Sequence, residues 1–417
     1  MEIIKVKEVK FLEEIYWKKK SKIKKIYPYL ADDISPEVLI IGGGITGALT
    51  AYFIAKEGIN VAIVEKNIIG YGSTIKTNAI LEYQSDADMQ KLEKTSGKKC
   101  ANRTYKLSLE AIDLIEKINN EFDNIAEFKR QDAIYFTNKF MQKSNMAREC
   151  KIRNEAGFKA DLLDSHKILN MTSGIITQNA SATINPYMFA QGLFENLNHL
   201  ENVHVYENTE IVEVNPNYDN VECITKNGFK ILSDSVIFTS GIDTLKYLEI
   251  PDLEIYKNFT IVTNSLRNEN FNFTARDCIE PYYYLRFDND GRIILSGQNS
   301  KFTTKFTDEK YFENFASEKY RKLNTALGKI LNNISNIKVE FAYSSTYVTT
   351  KDSLPIIDEI PGMPNCFCNL AFGSNGIIYS TIRSQHAKKC SKRTIHKRHE
   401  HVLNKQKYST IAPHTQS

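Results

Sequence analysis

The clearest pattern of apolar and polar positions lies between Val38 and Lys66, in VLIIGGGITGALTAYFIAKEGINVAIVEK. A continuous apolar run predicts a short buried strand, and the glycines after it predict a turn. The following residues repeat at helical spacing as far as Gly58, which predicts the end of a helix. A second apolar run that ends at Glu65 predicts another strand, so this segment is a complete βαβ unit.

The rest of the chain alternates helical and strand-like patterns, with no internal repeat and no low-complexity linker. Residues 1–35 are expected to form an extended basic lead, in which WKKKSKIKK is a solvated face or a loop. The stretch PYYYLRFDNDGRIILSGQN predicts a β-hairpin with its turn at 288–291. Periodicity predicts helices over 88–122, after Pro186 and over 308–333, short strands with a polar helix over 125–168, and strands at 203–214, 221–225, 234–239, 338–348 and 366–372.

The glycine turn predicts a dinucleotide site. Gly42, Gly44 and Gly47 form GxGxxG directly after a strand and at the start of a helix, which is the context that makes this motif specific. These glycines allow a tight turn, close approach of a pyrophosphate and close packing of helix on strand, and the helix N-terminus faces the anion. Glu65 is expected to accept hydrogen bonds from the ribose. The alternative is a glycine-rich turn that binds no ligand.

Two further small-residue segments favour FAD over NAD. The loop NIIGYGST follows Glu65, and AFGSNGII places Gly373 to Gly376 between a strand and a helix. An extended FAD needs such close approaches along its length. A helix N-terminus near the second segment also suits the electron-rich edge of a flavin.

These segments, together with TYVTTKDSLPIIDEIPGMPNCFCNLAFGSNGIIYS, resemble the D-amino-acid-oxidase-like (DAO) FAD-dependent oxidoreductases. Within them the sequence is most similar to the bacterial gamma-glutamylputrescine oxidoreductase-like branch. The resemblance implies a two-domain α/β (α+β) fold, in which a Rossmann-type FAD domain is interleaved with a mostly antiparallel substrate domain. It implies that 36–87, 171–250 and 336–383 form the FAD domain and that 88–170 and 251–335 form the substrate domain.

The resemblance also implies which residues contact FAD. Ile211 is expected to meet the adenine through its backbone, and Ser73 and Thr74 to contact the pyrophosphate and the flavin. The full set of expected FAD contacts is Gly42, Gly44, Ile45, Thr46, Gly47, Glu65, Lys66, Gly72, Ser73, Thr74, Ile211, Thr239, Ser240, Gly241, Gly373, Ser374, Asn375, Gly376 and Ile377.

With one dinucleotide motif and no CxxC, electrons are expected to reach FAD directly from an organic substrate. In the family this is hydride transfer from an amine or amino acid. Relatives place an arginine before the TxDxxP stretch to pair with a substrate carboxylate, but Tyr347 stands there, which favours an amine. Arg286 is the replacement candidate, beside Tyr284 in the same strand, and Glu82 is a further pocket candidate. The alternatives are ordinary packing or surface roles. Which amine is oxidised and which acceptor takes the electrons stay open.

A rival hypothesis comes from departures from the family pattern. Relatives usually have glycine where this chain has Ser345, Val348, Asp358 and Ser374, and a small residue in place of Lys76. Positions of this kind can require close backbone approach to the cofactor or a positive φ. The rival interpretation is a catalytically inactive or decaying flavin-binding paralogue.

Charge and cysteine content narrow the class of protein. The net charge is +4, yet residues 384–417 carry eight Lys and Arg against Glu400 alone, which leaves about −3 for the rest. The body of the protein therefore has no electrostatic reason to bind nucleic acid. No stretch approaches the ~18–20 apolar residues that span a bilayer. Seven scattered cysteines, with Cys366 and Cys368 placed as neighbours on a strand, predict a cytoplasmic protein with reduced thiols and no metal site.

The basic tail, residues 384–417, breaks the apolar pattern of the helix that precedes it. A nucleic-acid arm and a metal site at His396, His399 and His401 are the alternatives from composition. We instead interpret the tail as an out-of-frame translation. If permissible codons are chosen for its first residues and the same bases are read one position later, they encode an amphipathic helix. The tail is then expected to be disordered.

Overall fold

The computed structural model describes residues 14–23, 25–247, 253–266, 271–332, 334–350, 355–370 and 373–384. The α-helices in these ranges are α1 (Tyr16–Lys20), α2 (Ile45–Ala55), α3 (Met89–Ser96), α4 (Lys98–Asn120), α5 (Lys143–Glu155), α6 (Pro186–Leu197), α7 (Glu309–Ile330) and α8 (Gly376–Ser384). The strands are β1 (Val38–Ile41), β2 (Val61–Val64), β3 (Ile80–Glu82), β4 (Lys129–Thr137), β5 (Ala160–Leu163), β6 (Ser173–Thr183), β7 (Val203–Tyr206), β8 (Ile211–Pro216), β9 (Val221–Thr225), β10 (Lys230–Ser233), β11 (Ser235–Phe238), β12 (Leu253–Thr263), β13 (Phe273–Asp277), β14 (Tyr284–Phe287), β15 (Ile293–Lys301), β16 (Val339–Thr350), β17 (Ile356–Glu359) and β18 (Cys366–Leu370).

The first sheet contains the predicted βαβ unit. Its strand order is β17-β18-β11-β1-β2-β7, and all neighbours are parallel except β17 and β18. Strands β1 and β2 are buried along their whole length, as expected for parallel strands covered on both faces. Helix α2 joins them and is buried on every side. Gly58, with φ +78°, follows its end as predicted.

The second sheet has the order β16-β12-β15-β14-β13-β4-β6-β3, with β5 added beside β6. Its neighbours are antiparallel except for β13 and β4. The apolar side chains of α7 pack against this sheet around Phe259 and Leu295. Strands β8 to β10 form a small antiparallel sheet of their own. A parallel dinucleotide-type sheet beside a mostly antiparallel sheet confirms the predicted fold class.

The strand pairing differs in detail from the predicted division of the chain. Strands β3, β6 and β16 fall in segments assigned to the FAD domain, but they hydrogen-bond within the antiparallel sheet. Strand β16 pairs with β12 along almost all of its length, which fixes it there. The domain boundaries remain a proposal, with these strands moved to the substrate side. The predicted helix over 88–122 is two helices, divided at Gly97, where φ is +84°.

The prediction of an extended N-terminal lead was wrong over Tyr16–Lys20, which is a helix. Trp17 is only 1% exposed and packs into the protein, whereas Lys18 and Lys19 are exposed and form the solvated face that was predicted as one alternative. Residues 1–13 lie outside the described residues. The tail from residue 385 onward also lies outside the described residues, so the expectation that it is disordered stays a prediction. No helix of the described residues has the length and apolar character needed to cross a membrane.

Candidate functional site

The glycine turn after β1 is built by close backbone contacts. Gly42 has φ +118°, and a Cβ there would lie 2.8 Å from the backbone of Thr239 and Ser240. A Cβ on Gly47 would overlap the carbonyl oxygen of Gly42. Only glycine therefore lets α2 cross the turn this closely, as the motif predicts. A Cβ on Gly44 would lie 3.2 Å from the hydroxyl oxygen of Thr74.

Glu65 holds this turn from the end of β2. Its Oε2 accepts the backbone N–H of Gly43 at 2.9 Å, and its Oε1 accepts that of Asn67 at 2.9 Å. Burial raises the pKa of Glu65, and these two backbone donors partly offset the rise. The carboxylate therefore stands fixed in a cavity wall, where it can accept hydrogen bonds from a ribose.

The loop before β3 reaches over the same turn. The hydroxyl oxygen of Thr74 accepts the N–H of Ile45 at 2.9 Å, at the first turn of α2. Ser73, with its hydroxyl 3.4 Å from the carbonyl oxygen of Thr346, connects the loop to β16. The loop, the helix N-terminus and the second sheet thus meet at one place.

A second polar loop precedes α8. Gly373 has φ +58°, and a Cβ there would overlap the carboxylate of Asp86. That carboxylate accepts the hydroxyl of Ser374, and the Nδ2 of Asn375 donates to the carbonyl oxygen of Gln84 at 2.7 Å. The segment after β3 therefore fixes the loop at the start of α8.

These elements line one cavity of about 470 Å³. At one end lie Ile211 and Tyr247, whose phenol donates to the Ile211 carbonyl oxygen at 2.6 Å. Lys66 is nearby and pairs with Asp243 at 2.6 Å. Of the expected FAD contacts, those in the wall are Gly42, Gly44, Ile45, Thr46, Glu65, Lys66, Gly72, Ser73, Thr74, Ile211, Thr239, Ser240, Gly241, Gly373, Ser374, Gly376 and Ile377. Gly47 and Asn375 lie behind the wall and position it.

The other end of the cavity is aromatic and polar. Tyr284 and Tyr347 line it, and Tyr347 stacks on Tyr256 with ring centroids 5.7 Å apart. Asn258 and Asn299 also line it and share a hydrogen bond of 2.7 Å between Nδ2 and Oδ1. The sequence analysis missed both asparagines. Each is one of several polar residues in its strand, and the sequence does not reveal which of these residues face the cavity, because that depends on how the two strands pair.

Two predicted pocket residues lie elsewhere. Arg286 is 3% exposed and does not line the cavity. Its Nη1 donates to the carbonyl oxygens of Asn78, Ala79 and Ile184, so the prediction that it binds a substrate carboxylate is not supported. Glu82 is also absent from the wall. It is buried, and burial raises its pKa, partly offset by the charges of Arg276 and Arg153.

The cavity wall fits an extended FAD on two observations. A Cβ on Gly72 or Gly241 would meet no atom within 4 Å, so backbone is open to a ligand there. The Oδ1 of Asn369, a buried residue of the wall, has no hydrogen-bond partner among the described residues. Buried acceptors are normally hydrogen-bonded, and the ribityl hydroxyls or the ring N–H of FAD can supply the donor here.

The parallel sheet, the glycine turn and the cavity beside it define a dinucleotide-binding fold. Residues 37–387 match the family of FAD dependent oxidoreductases named DAO, so the chain belongs to this family. FAD is therefore its cofactor, and both the predicted family and the predicted cofactor are confirmed.

Three similar proteins illustrate the relationship. The chain is 28% identical over 228 residues to the putative Rieske 2Fe-2S iron-sulfur protein YhfW of Bacillus subtilis, a match covering 54% of this chain and 44% of that protein. The chain thus spans less than half the length of YhfW. It is 18% identical over 342 residues to gamma-glutamylputrescine oxidoreductase of Escherichia coli, covering 78% of this chain and 77% of that protein. Glycine oxidase of Geobacillus kaustophilus shares the fold, with a TM-score of 0.71 and 16% identity, and the match covers 86% of this chain and 94% of the glycine oxidase chain.

Proposed function

We propose that this chain oxidises the C–N bond of a small amine or amino acid, with an amine favoured. The observation that carries the proposal is the continuity of one cavity, from the glycine turn to an end lined by Tyr284, Tyr347 and two asparagines. Names of similar proteins, glycine oxidase and gamma-glutamylputrescine oxidoreductase, support the substrate class. When bound, FAD supplies the two-electron acceptor for the C–N bond.

The residues of the glycine turn, Glu65 and the loop at Ser73 and Thr74 would hold the adenosine and pyrophosphate half of FAD. The loop before α8, from Gly373 to Ile377, would hold the flavin half. The helix N-terminus there places a partial positive charge beside the cavity, which stabilises negative charge on a ligand. The chain's contribution is binding and orientation.

The tyrosines of the substrate end act as hydrogen-bond donors. Burial raises the pKa of Tyr284 to about 12, and burial also raises the pKa of Tyr347, helped by the charge of Asp86. Both phenols are therefore protonated at neutral pH and do not serve as bases there. With Asn258 and Asn299, they offer neutral polar contacts, which suit an amine that enters without its proton.

Anaerobic mixing of the FAD-loaded protein with a panel of amines and amino acids tests the proposal. We expect at least one amine to bleach the flavin absorbance, with formation of the imine and its carbonyl hydrolysis product. Simple α-amino acids are expected to react more slowly, because Tyr347 replaces the family's arginine. If no compound in a broad panel reduces flavin that dithionite does reduce, the proposal is wrong.

The competing function, an inactive flavin-binding paralogue, is favoured by the side chains at three positions that are usually glycine. Ser345, Val348 and Ser374 all line the cavity. The cavity nevertheless stays continuous past them, which supports binding of the cofactor. In the experiment above, bound flavin without reduction by any amine is the result that this second function predicts.

A further inference from the structure

The segment from Thr77 to Ile80 forms part of the cavity wall through Thr77, Asn78 and Ile80. Between them, Ala79 has φ +54°, a left-handed conformation that non-glycine residues adopt at a cost. Such a conformation persists only where surrounding contacts impose it. Local hydrogen bonds contribute, from the N–H of Ala79 to the hydroxyl of Thr77 at 3.2 Å and from the N–H of Ile80 to the Oδ1 of Asn78 at 3.2 Å. Two further contacts come from residues remote in sequence, Trp17 and Arg286.

Trp17 reaches this segment from helix α1. Its indole N–H donates to the carbonyl oxygen of Thr77 at 2.8 Å, and its side chain is buried. Helix α1 is in turn fixed to the β14–β15 turn. Tyr16 donates to the carboxylate of Asp288, and the Nζ of Lys20 lies 3.0 Å from the carboxylate of Asp290.

Arg286 reaches the same segment from β14. Its Nη1 donates to the carbonyl oxygens of Asn78 at 3.1 Å, Ala79 at 2.8 Å and Ile184 at 2.9 Å. The guanidinium carbon also lies 5.3 Å from the centroid of the Trp17 ring, within the range of a cation–π contact. Burial lowers the pKa of Arg286 only to about 10, so the side chain keeps its charge at neutral pH.

Without Arg286, the carbonyl groups of Asn78, Ala79 and Ile184 would lose a charged donor in the interior. An unsatisfied buried carbonyl is costly, so the backbone of Asn78 and Ala79 would turn toward other partners. That movement would displace the part of the cavity wall that would contact FAD. The loss of the Trp17 donor would free the carbonyl of Thr77 in the same way.

We propose that Trp17 and Arg286 form a clamp, made of a buried indole and a buried guanidinium, that positions residues 77–80 and thereby sets the affinity for FAD. Both are positioning residues that act through the cavity wall. Helix α1 thus supports the cofactor site through Trp17. This assignment is independent of which substrate is oxidised, because it concerns cofactor binding alone.

The test compares variants in the full chain, first stripped of FAD and then titrated with it. Arg286→Met keeps the length of the side chain and removes the donors, and we expect the FAD Kd to rise about tenfold or more. Trp17→Phe keeps an aromatic ring and removes the N–H, and a rise of about threefold is expected. Arg286→Lys retains the charge, and its FAD Kd is expected to lie between that of wild type and that of Arg286→Met.

The control is Leu327→Ala, which empties a buried site in the core between α7 and the second sheet. It lowers stability without contact to residues 77–80, so its FAD Kd should stay within about twofold of wild type. Hydrogen exchange of the FAD-loaded protein supplies a second readout, since exchange at 77–80 should quicken in the clamp variants alone. The clamp is refuted if Leu327→Ala weakens the binding of FAD as much as Arg286→Met does. It is equally refuted if Arg286→Lys and Trp17→Phe fold with wild-type Kd and wild-type exchange.

Discussion

A single methyl group added at Gly47 tests whether the crossing of α2 over the glycine turn creates the FAD site. The Cβ of Gly47→Ala would overlap the carbonyl oxygen of Gly42 and lie 3.1 Å from the Oγ1 of Thr239. The obstacle is backbone, and Thr239 is itself held because its hydroxyl donates to the Gly42 carbonyl oxygen at 2.9 Å. The helix must therefore move outward, and overpacking of this kind costs about 1–3 kcal/mol.

That displacement also affects binding, because Gly42 and Gly44 line the cavity. If about 1.4 kcal/mol of the cost appears in binding, the FAD Kd rises about tenfold. Urea unfolding of the FAD-stripped protein, followed by circular dichroism, measures the stability. Quenching of flavin fluorescence measures the Kd.

Gly328→Ala is the matched control, since it adds the same methyl group inside a helix. Gly328 lies in α7, and a Cβ there would meet nothing within 4 Å. Replacing an unobstructed helical glycine by alanine stabilises by about 0.5–1 kcal/mol, so the two substitutions should have opposite signs. If Gly47→Ala unfolds at the wild-type urea concentration and binds FAD with the wild-type Kd, the reasoning is refuted.

Three further predictions concern the substrate end, a buried carboxyl and the cofactor. Tyr347→Phe should raise the amine concentration that half-saturates flavin reduction by about three- to tenfold, because the substrate loses a hydrogen bond. The maximal rate and the pH profile should change little, since a protonated phenol does not act as a base near neutral pH, and a shifted pH profile would contradict this role. Burial raises the pKa of Asp277 to about 6, so the stability it contributes is present at low pH and is lost as pH rises through about 6. The free energy of unfolding of Asp277→Asn, relative to that of wild type, should therefore be about 1–2 kcal/mol higher at pH 7 than at pH 4 in urea titrations. The same difference between variant and wild type at both pH values would count against this reasoning. FAD added to stripped protein at about one hundred times its Kd should stabilise it by about 2.7 kcal/mol, and an unchanged melting temperature would exclude selective binding to the folded chain.

The sequence alone determined the dinucleotide half of the site. The glycine turn, the helix and Glu65 lie within about 30 residues, so their relation is local and follows from periodicity and backbone sterics. The position of Cys366 and Cys368 on one strand, confirmed in β18, followed from local pattern too. So did the turn between β14 and β15, where the N–H of Gly291 donates to the carbonyl oxygen of Asp288 at 3.1 Å.

The tertiary structure decided the functions of side chains whose partners are remote in sequence. The alternation of β14 placed Tyr284 and Arg286 on one face, yet only Tyr284 reaches the cavity, because the loop before β3 and helix α1 cover Arg286. The sequence analysis placed Trp17 in a solvated face or a loop, since its partner carbonyl is 60 positions away. Asn258 and Asn299 meet only through the pairing of β12 with β15. Long-range pairing depends on how whole sheets pack, and a local pattern carries no information about it.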